Sequence, residues 1–141
     1  MFKVKIISIG KTKESWLKQA INEYEKRMSN DVKITWLLLK DDIQLNKHMQ
    51  KEEKYICLDE KGKQYQNSIE LSEDIINVLN TNNFMSFVIG GSDGLNEDIK
   101  SKAIKTISLS HLTMTHQICR LIFIEQLYRA FEINKGSKYH K

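Results

Sequence analysis

Five short apolar runs, each of strand length, alternate with stretches whose apolar residues recur at helical spacing. That alternation constrains this chain more than any other feature. The runs are Phe2-Lys3-Val4-Lys5-Ile6-Ile7-Ser8-Ile9, Val32 to Leu39, Tyr55-Ile56-Cys57-Leu58, Phe84 to Ile89 and Ile107-Ser108-Leu109. Residues 13–29 bring Trp16, Leu17, Ala20, Ile21 and Tyr24 to one helical face. Residues 68–80 do the same with Ile69, Leu71, Ile75, Ile76, Val78 and Leu79. Residues 96–105 predict a short helix and residues 115–134 a long one, with Gly136 placed as its C-terminal stop. Residues 40–54 balance four lysines against four acids around His48 and predict a solvated helix or loop without a function. Strands alternating with helices predict one α/β domain, a mostly parallel sheet flanked by helices.

With 141 residues, 40% of them hydrophobic, the chain can bury a core without disulfides or a metal. Cys57 and Cys119 each lie inside an apolar run and read as reduced core residues of a cytoplasmic protein. No apolar run reaches membrane-spanning length, and Met1 to Gly10 lacks a signal-peptide core. His111, His116 and His140 have no carboxylate or cysteine at ligand spacing, so no metal is expected. The net charge of +4 permits a nucleic-acid partner without establishing one.

In open α/β sheets, ligands bind beyond the carboxyl ends of the strands. Three such ends are unusual here. Leu58 leads into Asp59-Glu60-Lys61-Gly62, and Ile89 leads into Gly90-Gly91-Ser92-Asp93-Gly94. Leu109 leads into Ser110-His111-Leu112-Thr113-Met114. If the strands are neighbours, the three loops form one crevice. The glycine run lets backbone N–H groups approach a ligand, or else makes a tight turn. Residues 108–116 offer backbone groups and apolar walls to a flat ring, or else a capped entry to the last helix. From Ile118 to Ile124 that helix is apolar nearly all round, interrupted only by Arg120, which calls for its own sheet and a second subunit as covers. Glu125 and Arg129, four apart, read as a surface pair of little weight. The tail carries Lys135, Lys138, Tyr139, His140 and Lys141 without an acid, suiting phosphate contact and base stacking, or else it frays in solvent.

Three stretches taken together resemble one known family. They are Phe87-Val88-Ile89-Gly90-Gly91-Ser92-Asp93-Gly94-Leu95, then Ser108 to Thr113 continuing into His116-Gln117, then Ile124-Glu125-Gln126-Leu127-Tyr128-Arg129-Ala130-Phe131 with the terminal Tyr139-His140-Lys141. In this order, and with the start Lys3 to Lys11, the chain resembles the 23S rRNA (pseudouridine-N3)-methyltransferase family of SPOUT, or α/β-knot, enzymes. The resemblance implies a C-terminal trefoil knot, a homodimer packed through the last helix, and S-adenosylmethionine bound in the crevice. Carried over by motif, the cofactor contacts are Leu58, Gly90, Leu109, Ser110, His111, Leu112, Thr113 and Met114. Tyr139, His140 and Lys141 are implied as catalytic or substrate-orienting, reaching the partner's cofactor, with His140 as base or orienter. Lys138 and Lys141 would hold phosphates, and Arg120 and Arg129 would face substrate or interface. The implied substrate is 23S rRNA within the ribosome, with no membrane partner. Thr115 stands where many relatives carry proline. Another SPOUT activity, on tRNA, and a non-catalytic RNA-binding dimer are alternative readings. A flavodoxin-like nucleotide binder would need a phosphate loop after the first strand, and Gly10-Lys11-Thr12-Lys13 is too poor in glycine to supply one.

Overall fold

The computed structural model describes residues 1–140. The five strands are β1 (Phe2–Ile9), β2 (Val32–Leu39), β3 (Tyr55–Lys63), β4 (Phe84–Ile89) and β5 (Lys105–Ile107). The helices between and after them are α1 (Ser15–Arg27), α2 (Asp42–Met49), α3 (Ser68–Asn82), α4 (Glu97–Lys102) and α5 (His116–Lys135). All strand pairs are parallel, in the order β2-β1-β4-β3-β5.

Alternation along the strands explains the layering, since successive side chains leave opposite faces of a sheet. Val4, Ile6, Ile56, Leu58, Met85, Phe87 and Ile89 face one way and pack against α1, α3 and α5. Ile7, Tyr55, Cys57 and Val88 face the other way, under Leu45 and Met49 of α2, Leu95 just before α4 and Ile99 within it. Because both faces are covered at their centre, the middle strands read as nearly continuous apolar runs.

Residues 40–54 are not merely solvated. Asp41 caps α2 through Gln44 N, Leu45 and Met49 are buried, and Glu52 beyond the helix receives hydrogen bonds from Lys5 and Ser86 and meets His48. Two apolar residues one helical turn apart were enough to seat the helix, and its dense charges hid that pair. β5 begins earlier than its sequence suggests, at Lys105, and ends before Leu109, which is thereby released into the following loop.

β3 runs five residues past its buried core and carries the most irregular feature of the sheet. Leu58 and Lys63 both pair with Ile107, so residues 59–62 bulge out between two anchored ends. Gly62 is required at the base of this bulge, where a Cβ would lie 2.7 Å from the Thr106 carbonyl carbon.

Candidate active site

The bulge after Leu58, the glycine turn after Ile89 and the loop after β5 converge on one cleft of about 420 Å³. This is the size range of small-molecule sites. Leu58, Gly90, Leu109, Ser110, Leu112, Thr113 and Met114 all line it, whereas His111 is exposed and does not. The structure thus gathers seven of the eight residues carried over as cofactor contacts and leaves His111 outside.

Each wall has a local cause. In the glycine turn, Gly94 N donates to Gly91 O at 3.0 Å, and Gly94 has φ +75°, a conformation costly for any residue with a Cβ. Gly90 has ordinary φ, but a Cβ there would lie 2.6 Å from the Gly94 carbonyl carbon and 2.8 Å from Leu95 N. Glycine is therefore demanded by the turn itself as well as by any ligand. In the loop after β5, Ser108 Oγ donates to Ser110 O and Leu112 N donates to Ser110 Oγ. Thr113 Oγ1 donates to Glu60 Oε2 at 2.8 Å, tying this loop to the β3 bulge across 53 positions of sequence.

Four carboxylates line the cleft, from Asp59, Glu60, Asp93 and Glu97, against the ammoniums of Lys61 and Lys100. A chain of net charge +4 thus has an acidic cleft, which favours a cationic ligand. Lys100 Nζ lies 3.2 Å from Glu97 and 3.6 Å from Asp59. His116 and Cys119, from the first turn of α5, complete the lining and were not among the expected contacts. Burial, then the charges of Arg120 and Lys13, hold His116 below its ordinary pKa, and burial lifts the Cys119 thiol to about 11. The alternation of hydroxyls and apolar residues in 108–116 pointed to the loop, but nothing local pointed to Cys119, which the first turn of α5 brings to the same side as His116.

The start of α5 locks the floor of the site. Thr115 caps the helix through Ile118 N at 3.2 Å. Gln117 clasps the loop after β1, donating to Lys11 O and accepting from Lys13 N, both at 3.0 Å. Arg120 is fully buried and faces neither substrate nor surface, contrary to the sequence-based expectation. Its guanidinium donates to Ser8 Oγ, Thr12 Oγ1, Ile9 O and Gly10 O at 2.7–3.2 Å. A buried charge persists when its donors are satisfied, and here the exposed carbonyls at the end of β1 satisfy them.

The tail folds into a second cluster. Arg129 Nε and Nη2 donate to Glu125 Oε1 at 3.0 and 2.7 Å, and Tyr139 OH donates to the same oxygen at 3.2 Å. The Arg129 guanidinium stacks 4.8 Å from the Tyr139 ring centroid, and that ring meets Tyr128 edge-on. The Glu125–Arg129 pair is therefore half-buried and organises the tail, rather than decorating the surface as its spacing suggested. Arg129 Nη1 lies 3.0 Å from His140 Nδ1. Arginine can only donate, so Nδ1 accepts, and the proton of the neutral ring sits on Nε2. Burial, then Tyr24 and Glu125, push the Tyr139 phenol upward, keeping it protonated. Lys141 lies outside the described residues.

None of Glu125, Arg129, Tyr139 and His140 lines the cleft. Arg129 is ten residues beyond Cys119 on α5, or ~15 Å at the helical rise. Along this stretch, starting at Ile118, runs a half-covered stripe of Ile118, Leu121, Ile122 and Glu125, while Phe123, Ile124 and Leu127 are buried. Among the described residues no cluster of His, Cys, Asp and Glu could hold a metal, and no helix is long and apolar enough to cross a membrane.

Residues 2–140 match the family described as "Predicted SPOUT methyltransferase". The chain is 46% identical to "Ribosomal RNA large subunit methyltransferase H" of Protochlamydia amoebophila (strain UWE25), covering 100% of both chains. It is 41% identical to the protein of that name from Prochlorococcus marinus (strain MIT 9301), over 96% of this chain and 94% of the relative. It is 37% identical to that from Streptococcus suis (strain 05ZYH33), over 99% of each. A solved structure described as "Crystal structure of an hypothetical protein" superposes with TM-score 0.52 and 13% identity, covering 94% of this chain and 67% of that one, which speaks to the fold alone.

Proposed function

We propose, from the premise that this chain belongs to the SPOUT methyltransferase family, that it methylates N3 of a pseudouridine in 23S rRNA, acting as a homodimer on the assembled ribosome. Full-length likeness to relatives named for large-subunit rRNA methylation supports the substrate. The observation that carries the mechanism is that cleft and tail cluster lie at opposite reaches of one helix, so a single chain does not bring them together. The knotted threading implied by the sequence resemblance belongs to the same reading, as does a cytoplasmic location beside the ribosomes.

S-adenosylmethionine fits the cleft. The apolar side chains of Leu58, Ile89, Leu95, Leu109, Leu112 and Met114 suit a flat ring, and the carboxylate excess suits a sulfonium cation. When bound, this donor supplies an already activated methyl group. The protein's task is then to orient the acceptor nitrogen and stabilise the charge that develops on it.

The partner's tail performs that task. With Nδ1 engaged by Arg129, His140 presents Nε2–H as a donor rather than a free lone pair, so it orients the imide oxygens. Arg129 adds a fixed positive charge beside the imide anion, and Glu125 holds Arg129 and Tyr139 in place. The N3 proton leaves to solvent. Lys138, and Lys141 beyond the described residues, meet phosphates. The half-covered α5 stripe packs against its counterpart about a two-fold axis, which carries each tail toward the other cleft.

Subunit mixing tests this. A tail-defective chain (Arg129→Met with His140→Ala) and a cleft-defective chain (Gly90→Val) are each inactive. After random exchange, half the dimers are mixed and each has one intact site, restoring about a quarter of parental methyl transfer. Mixed dimers that stay inactive would show the site lies within one chain. Loss of no rRNA methyl group on deleting the gene would overturn the substrate assignment.

A further inference from the structure

The face of the sheet that carries α2 and α4 is covered only toward its carboxyl half. Below that cover, one residue from each of three adjacent strands forms a cross-strand row. Lys33 of β2 is in register with Lys3 of β1, and Lys3 with Phe84 of β4. Side-chain alternation puts all three on the same face, since Val32, Val4 and Met85 beside them enter the opposite core. All three are exposed, and Phe84 is 41% accessible in a protein that could have buried it.

The row is costly for a fold standing alone. Lys3 and Lys33 are side by side at strand spacing, ~4.8 Å, and like charges so placed repel. Among the described residues neither ammonium has a carboxylate within ion-pairing distance. The carboxylate joined to this face, that of Glu52, is already bonded to Lys5, His48 and Ser86. Lys5 Nζ stands 6.0 Å from the Phe84 centroid, so a cation also flanks the ring. A flat sheet presenting unneutralised lysines beside an open aromatic ring matches the chemistry of single-stranded RNA, phosphates against the ammoniums and a base on the ring.

We infer that the Lys33–Lys3–Phe84 row is an RNA-docking platform that engages an unpaired rRNA segment away from the methylated nucleotide. It rests on the rRNA reading above. Phe84 begins β4 and Gly90 follows its end, so the platform lies ~20 Å from the cleft at the strand rise. It would add affinity for the ribosomal substrate without touching the donor.

The test compares the dimeric parent, Lys3→Glu/Lys33→Glu and Phe84→Ala for binding to isolated large ribosomal subunits over a salt series. Methyl transfer and S-adenosylmethionine binding are measured beside it. The double variant should bind subunits at least tenfold more weakly and flatten the salt slope by about 1.4, from two lost phosphate contacts. Phe84→Ala should weaken binding roughly fivefold or more with the slope unchanged, which a general change in net charge does not produce. Both should raise KM for subunits while leaving donor affinity as in the parent. Equal subunit binding and KM in all three proteins would overturn the platform. A parent that binds subunits through this row yet methylates none would overturn only the functional reading. A parent that neither binds nor methylates overturns both.

Discussion

Arg120 and Ser8 are 112 positions apart, yet the guanidinium of one donates twice to the hydroxyl of the other, at 3.0 and 3.2 Å, inside the protein. Among the described residues the charge has no carboxylate partner. Neutral oxygens at the end of β1 hold it, and through them α5 is fixed to the loop that borders the site.

Arg120→Met should therefore lower stability by about 3 kcal/mol, because it strands several buried oxygens at once. Arg120→Lys should recover only part, since one ammonium cannot reach the same set of acceptors. Urea denaturation followed by circular dichroism reads both values, and an unaltered midpoint for Arg120→Met would remove the clamp from the account.

The Thr113–Glu60 hydrogen bond closes the cleft from above, between the loop after β5 and the β3 bulge. Both partners lie at the surface, so Thr113→Val should alter stability by less than about 0.5 kcal/mol. Donor affinity should drop by roughly fivefold, the equivalent of one hydrogen bond near 1 kcal/mol. Calorimetric titration with S-adenosylmethionine measures this, and an unchanged Kd would mean that the bond does not shape the bound cleft.

His116 is held below 6.5 by burial first, then by Arg120 and Lys13. The folded chain favours the neutral ring, so stability from this residue is present above 6.5 and declines as pH falls toward the lowered folded value. A proton gained there also adds positive charge to a cleft whose carboxylates favour a cation. Donor affinity should weaken as pH falls below 6.5 in the parent and stay flatter in His116→Gln. Parallel pH profiles in the two proteins would count against His116 as the titrating group.

Glu52 carries the opposite kind of dependence. Burial alone would raise its pKa, but hydrogen bonds from Lys5 and His48 outweigh this and hold it below 4.5. Its contribution is complete above 4.5 and is lost as pH falls through the lowered folded pKa. Glu52→Gln should cost about 1–2 kcal/mol near neutrality, and that cost should shrink as pH falls below 4.5 and Glu52 takes up its proton. A penalty of equal size across that range would show that shape, not charge, is what Glu52 supplies.

Much of the fold was readable because its causes are local. Leu17 and Ile21, or Leu71 and Ile75, announce helices by their spacing, and Phe84 to Ile89 announces a buried strand by its length. The candidate cleft was readable in part for a different reason: the strand-end loops carry glycines and hydroxyls whose special backbone needs mark them. His111 shares that loop and its motif, but its side chain leaves the cleft, and a motif does not record direction. Residues 40–54 misled because their charges outnumber the two apolar residues that seat α2.

What the sequence alone determined is thus the kind and order of the elements, through propensity and periodicity that act within a few residues, and, through its motifs, the family they resemble. Only the tertiary structure decided that Arg120 is buried, that Leu58 and Lys63 share Ile107, and that Glu125 and Arg129 gather Tyr139 and His140. It alone placed that cluster away from the cleft and set Lys33, Lys3 and Phe84 in one row. Each of these depends on contacts between distant residues, whose energies exist only once the strands have paired and the helices have packed across them.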